Sequence, residues 1–226
     1  MPNKKFTHLS NKITEDIDAV TNKDGSRFYQ APNGEKYPSV TTVTGWEKKA
    51  FFAEWRRKNP KESKRVLSVG TSMHQVVEDF LDNKETYLDG ASQSAINLFQ
   101  YMKPVLIEKI DNIKAQEVAL WSSLLGLAGR VDCVAEYDGK LSIIDFKSSR
   151  REKKEEYIGN YFAQATAYAI MWKELTGEQI DQIVILISCE DGSVQQFIDK
   201  PVNHVKTLKE MIDKYYQSQA LSEYLG

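Results

Sequence analysis

The chain has 226 residues, 41% of them hydrophobic and 27% charged, with a formal net charge of −2. That composition belongs to a globular protein and excludes collagen-like, low-complexity and wholly disordered classes. Cys133 and Cys189 are the only cysteines, so a disulfide framework, a four-cysteine zinc site and an iron–sulfur cluster are excluded.

No stretch reaches the ~18 apolar residues of a membrane-spanning helix, and Met1–Asn11 has no apolar run resembling a secretory signal. The expected location is the cytoplasm of a bacterium or a phage-infected host. A mitochondrial matrix location is disfavoured because the start is not Arg-rich.

In chain order, residues 1–26 are expected to be a flexible, polar arm, followed by one domain over 27–226. Arg27–Val43 reads as strand, turn, strand, with Pro32-Asn33-Gly34 at the turn. Glu47–Lys58 reads as helix. Between Glu47 and Arg65, Lys48, Lys49, Arg56, Arg57, Lys58, Lys61, Lys64 and Arg65 outnumber Glu47, Glu54 and Glu62, with Phe51, Phe52 and Trp55 interleaved. Basic residues mixed with aromatics suit a nucleic-acid backbone whose bases stack on the rings. The alternative is a solvated helix face with its aromatics turned inward. A second basic run holds Lys147, Arg150, Arg151, Lys153 and Lys154.

Met73, Val76, Val77 and Phe80 make one apolar stripe, predicting a helix over Val69–Leu81. Ala91–Ile113 reads as helix, broken or kinked at Pro104. Strands follow at Gln116–Trp121, Ala128–Tyr137 and Leu141–Lys147. Gly159–Leu175 returns to helix, Ile180–Ser188 and Val194–Asp199 are strands, and Asn203–Gln217 is a terminal helix. The expected architecture is a mixed α/β core over residues 66–81 and 116–217, carrying a helical insertion over 82–115.

Asp138-Gly139 between two β-rich runs predicts a two-residue type I′ hairpin, since both residues tolerate positive φ. Such a turn sets the register: Tyr137 opposite Lys140, Glu136 opposite Leu141, Val134 opposite Ile143, and Asp132 opposite Asp145. The last pair falls at a non-hydrogen-bonded position, where Cβ atoms stand ~4.5 to 5.5 Å apart. Period two puts Lys147 on the same face. Two facing carboxylates in buried strands are costly without a cation, so Mg²⁺ or Mn²⁺ is the expected cofactor. Metal between Asp132 and Asp145 would polarise a phosphodiester and acidify a bound water, with Lys147 orienting that water and stabilising transition-state charge. The alternatives are that one aspartate bends away, or that Lys147 only forms a salt bridge with Asp145. Glu117 begins the preceding strand. If that strand pairs around Leu124-Leu125, Glu117 lies across from Asp132 and adds a carboxylate. Gln164 and Tyr168, one helical turn apart, either hold the lysine or a phosphate, or pack helix on sheet. No GxxxxGK[ST] loop, GxSxG elbow or HExxH pair is present.

Gly129-Arg-Val-Asp132, Asp145-Phe-Lys147 and Gln164 with Tyr168 resemble the GxxD, DxK and QxxxY motifs of the PD-(D/E)XK nucleases, in their RecB-like exonuclease branch. Tyr37–Thr41, Glu54–Lys58, Gly70–Leu81 and Tyr137–Ser149 extend the resemblance to the mitochondrial genome maintenance exonuclease family and its phage relatives, covering roughly residues 27–215. Val131 stands where the motif name has Pro. The resemblance implies a restriction-endonuclease-like core, a mixed central sheet flanked by helices with a helical arch. It also implies a metal-dependent DNA exonuclease acting on single-stranded DNA or DNA ends as a monomer, without a membrane. Asp132, Asp145 and Lys147 would be catalytic. The metal would be held by Asp132, Asp145, the Phe146 backbone carbonyl, Glu117 and His74, the last on the preceding helix. Trp55, Arg56, Arg57, Lys58, Arg150, Arg151, Gln164 and Tyr168 would meet DNA. An endonuclease on the same core and a non-catalytic single-stranded DNA-binding module are the competing readings.

Overall fold

A computed structural model describes residues 4–13, 16–22 and 25–225. A small antiparallel sheet, β1 (Ala19–Thr21), β2 (Arg27–Gln30) and β3 (Lys36–Pro38), precedes α1 (Val40–Thr44). The strand expected to run to Val43 thus stops at Pro38. Ser39 caps the helix that follows, its Oγ accepting the Thr42 amide at 3.1 Å. The aromatic-basic segment forms α2 (Lys49–Lys58), and α3 (Pro60–Leu81) starts well before Val69, with Pro60 in its first turn.

Helix α4 (Gln93–Lys109) runs unbroken through Pro104, which is exposed, as is Gln100, whose carbonyl loses its helical partner there. The expected helix over residues 110–113 is instead the start of β4 (Ile110–Ser122). Strands β5 (Leu127–Tyr137) and β6 (Lys140–Ser149) follow, then α5 (Gly159–Thr176), β7 (Gln182–Cys189), β8 (Val194–Asp199) and α6 (Val205–Leu225).

The main sheet has the order β4-β5-β6-β7-β8, antiparallel except between β6 and β7. A parallel pair needs a crossover, and α5 supplies it. Its alanines 163, 165, 167 and 169 let the helix sit close on the sheet, and it is buried nearly all round. One apolar layer joins α1, α5 and α6 to this face through Val40, Phe162, Trp172 and Leu208. The other face carries α3 and α4 through Met73, Val77, Leu98 and Met102. This is the mixed α/β sheet flanked by helices that the sequence predicts. Among the described residues no helix is long and apolar enough to cross a membrane.

The N-terminal segment, expected to be a loose arm, is seated on the domain where it is described. Residues 1–3, 14, 15, 23 and 24 of that segment lie outside the described residues. Phe6 and Ile17 are buried. Ile113 donates to the Thr7 carbonyl (2.8 Å) and Leu9 to the Ile113 carbonyl (2.7 Å), so the segment covers the free edge of β4.

Candidate active site

The Asp138-Gly139 turn forms as expected, with φ of 50° and 72° at the two residues. The ladder it starts runs from Tyr137↔Lys140 to Cys133↔Ile144 in the predicted register. It stops one pair short of Asp132 and Asp145. There the Asp132 side chain replaces the backbone, Oδ2 accepting the Phe146 amide at 2.9 Å. Glu117 stands between the pairs Gln116↔Cys133 and Val118↔Val131, across from Asp132, as the register around the Leu124-Leu125 turn requires. Its φ is 47°, an uncommon conformation for a residue with a long side chain.

Three of the expected metal ligands come together. A ligand atom from each of His74 (α3), Glu117 (β4) and Asp132 (β5) lies within 4.8 Å of the others. Nδ1 of His74 is 3.7 Å from Asp132 Oδ2. Asp145 is not in this trio. Its carboxylate is buried and turned to Lys147, whose Nζ is 2.6 Å from each of its two oxygens. Asp145 pairs with Lys147, and the carboxylate facing Asp132 across the β4–β5 ladder is Glu117.

The electrostatics suit a cation. Burial, then the charges of Asp132 and Glu78, push the Glu117 carboxyl up to about 7. Burial, partly offset by Lys147, pushes Asp145 up to about 7 as well. Burial lowers His74 despite the neighbouring Asp132 and the Phe146 carbonyl, which leaves a neutral imidazole able to ligate. Lys147 would be lowered by burial, but Asp145 and Asp132 hold it up, so it stays an ammonium. A cluster with a surplus of carboxylate beside a neutral imidazole fits a hard divalent ion.

His74, Glu117, Asp132 and Lys147 line an open cavity of about 640 Å³, shared with Glu78, Arg130, Gln164 and Tyr168. Gln164 lies one helical turn before Tyr168 on α5, near its hydroxyl. That hydroxyl lies over Gly129, where a Cβ would stand 2.9 Å from it, so Tyr168 packs helix on sheet and explains the glycine. Lys147 meets Tyr161 instead, its Nζ 5.3 Å from the ring centre. Tyr161 and Glu78 escaped the sequence reading. Glu78 was detectable as one helical turn from His74.

The alternative of inward-turned aromatics on α2 is overturned. The helix buries no residue, and Phe51 and Phe52 are 66% and 45% exposed. Phe51, Phe52, Trp55, Arg150, Arg151 and Tyr161 line a second cavity of about 580 Å³, with Val66 lining both this one and the first. Arg56 faces a smaller cavity beside Arg27 and Thr41, and Lys58 pairs with Glu54 at 2.7 Å. Arg57 is exposed.

With the sheet, the motif residues and the polar cluster in place, comparison with known families identifies the class. The PD-(D/E)XK nuclease superfamily matches residues 48–224, and the chain belongs to it. Among individual relatives, the chain is 29% identical over 174 residues to "Mitochondrial genome maintenance exonuclease 1" of Mus musculus, covering 69% of this chain and 51% of that protein. The proteins of the same name from Homo sapiens (29% over 178 residues) and Xenopus tropicalis (30% over 174 residues) match 69% of this chain and 50% and 49% of their own lengths. The chain spans about half the length of these curated relatives.

Proposed function

We propose that the chain is a Mg²⁺- or Mn²⁺-dependent exonuclease that hydrolyses DNA from single-stranded ends. The observation that carries this is the convergence of His74, Glu117 and Asp132 beside the Asp145–Lys147 pair, with a basic, aromatic groove on the other side of Val66. His74, Glu117 and Asp132 would hold the ion, with the Phe146 carbonyl and Asp145 Oδ2 adjoining. Bound there, a divalent ion supplies Lewis-acid polarisation of the phosphodiester and acidifies water.

The chain's own groups do the rest. Asp145 keeps Lys147 protonated and aimed, so the ammonium donates to the scissile phosphate and counters charge developing on its oxygens. Asp132 anchors β6 beside the site through the Phe146 amide. Arg56, Arg57, Lys58, Arg150 and Arg151 would follow the sugar-phosphate backbone, while Phe51, Phe52 and Trp55 offer faces on which bases stack. The exposure of those rings supports single strands, because paired bases hide their faces.

Digestion of linear single strands labelled at either end, alongside circular single strands, tests this in Mn²⁺, Mg²⁺ and EDTA. The expected result is metal-dependent loss of linear strands with circles intact and no cleavage by Lys147→Ala. Cut circles would point to an endonuclease. Binding without cleavage in Mn²⁺ would point to a non-catalytic module.

A further inference from the structure

Arg130 follows Gly129 on β5 and lies opposite Ala119 of β4. Its guanidinium reaches diagonally across the ladder and is engaged on both sides. Nη1 donates to the Glu117 backbone carbonyl. Nη2 donates to both carboxylate oxygens of Asp16, at 2.9 Å each. Asp16 belongs to the N-terminal segment that covers the β4 edge. Asn11, earlier in that segment, donates through Nδ2 to the Lys114 carbonyl. The segment thus holds β4 just before Glu117, and Arg130 ties Asp16 of the same segment to the Glu117 carbonyl.

Glu117 needs such support. Its positive φ is a conformation that ordinary residues keep only when their surroundings enforce it. The same φ turns the backbone where β4 passes Asp132, and so decides whether the Glu117 carboxylate meets His74 and Asp132. A guanidinium bonded to a carbonyl and to a carboxylate has little left to offer a DNA phosphate, although Arg130 lines the cavity.

We infer that Arg130, locked by Asp16 of the N-terminal segment, is a positioning residue that sets Glu117 for metal binding, making docking of that segment a determinant of metal affinity. This rests on the metal-dependent reading above. Groups standing behind metal ligands change metal affinity about 10- to 100-fold when removed.

The test is Mn²⁺ affinity of the whole chain, read from the electron paramagnetic resonance signal of free Mn²⁺, with oligonucleotide affinity measured separately in EDTA. Arg130→Met is expected to weaken Mn²⁺ binding about tenfold or more. Arg130→Lys, which keeps the charge but cannot span both partners, should weaken it similarly. Asp16→Asn, which spares the strand ladder, should weaken it by a smaller factor and serves if the Arg130 variants fail to fold. In a Glu117→Ala background, Arg130→Met should cause no further loss. Unchanged Mn²⁺ affinity in folded Arg130→Met, or loss confined to oligonucleotide affinity, overturns the inference while leaving the metal reading intact. A wild-type chain that binds no Mn²⁺ overturns both.

Discussion

Gly129→Ala tests how the active-site strand is seated. A Cβ at this position would stand 2.9 Å from Tyr168 Oη, 3.0 Å from Tyr168 Cε1 and 3.3 Å from Val40 Cγ2. Neither neighbour can swing aside, because Tyr168 and Val40 are both buried between α1, α5 and the sheet. Relief must come from moving α5 away from β5 by several tenths of an ångström. Overpacking of this kind costs about 1–3 kcal/mol, against which alanine recovers roughly 0.5–1 kcal/mol of backbone entropy relative to glycine. The net expectation is about 1–2 kcal/mol of destabilisation, or a fall of roughly 3–6 °C in Tm for a domain of this size. Thermal unfolding by circular dichroism in EDTA measures it free of any metal effect. Tyr168→Phe removes the nearest clashing atom, so the double variant should be less destabilised than the two single changes added together. An unchanged Tm for Gly129→Ala, or strict additivity with Tyr168→Phe, would refute the reasoning.

Three further outcomes are expected. Lys147→Ala removes the cation that holds Asp145 down, so the buried acid, already pushed up to about 7, takes up a proton at neutral pH and the loss should be about 1–3 kcal/mol; Asp145→Asn combined with Lys147→Met should recover much of that in urea titrations while remaining inactive. Glu117, raised from 4.5 to about 7, holds its proton more tightly when folded, so its contribution is full below about 4.5 and lost as pH rises to about 7. With discount for its partial exposure, that loss is on the order of 2 kcal/mol, visible as a falling urea midpoint in EDTA from pH 5 to 8 and abolished by Mn²⁺; a flat profile in EDTA would contradict it. Phe51→Ser and Phe52→Ser touch no buried contact, so stability should stay within about 0.5 kcal/mol, yet each should weaken binding of a single-stranded oligonucleotide by about 1–3 kcal/mol, measured by fluorescence anisotropy.

The parts of this molecule legible in the sequence are those governed by local rules. Asp138-Gly139 set the register of β5 against β6, and the stripe through Met73, Val76, Val77 and Phe80 located α3. Signals were present but unread where Pro38 stops a strand and Ser39 caps α1, and where Pro60 opens α3. The alternation of Ile110, Ile113 and Ala115 is too irregular to announce β4, because its register shifts between Asp111 and Ala115. The pairing of Asp145 with Lys147 was legible only as an alternative to a metal clasp. It depends on the Asp132 side chain capturing the Phe146 amide, which no periodicity encodes. Docking of the N-terminal segment depends on long-range contacts of Phe6 and Ile17, single apolar residues in a polar stretch.

The site forms where regular structure is interrupted. Along β5, Val131 and Val134 belong to the apolar layer beneath α5, while Cys133 and Ala135 belong to the layer beneath α3 and α4. Strict alternation would put Val131 and Cys133 on one face, so the strand turns over at Asp132. Along β4, Ala115 and Leu120 both pack on the α5 side despite their odd separation, so that strand turns over near Glu117. The two reversals lie opposite each other and carry the two carboxylates that face across the ladder. Turning both strands at one level opens the sheet toward both helical layers at once. That opening lets His74 from one layer and Gln164 from the other reach the same cavity. A flat, regular sheet would have hidden Asp132 and Glu117 beneath a single helix, out of reach of a polymeric substrate. The irregularities at residues 117 and 132 are therefore what convert a buried strand pair into an accessible acidic cluster, and straightening either one should close the site without unfolding the domain.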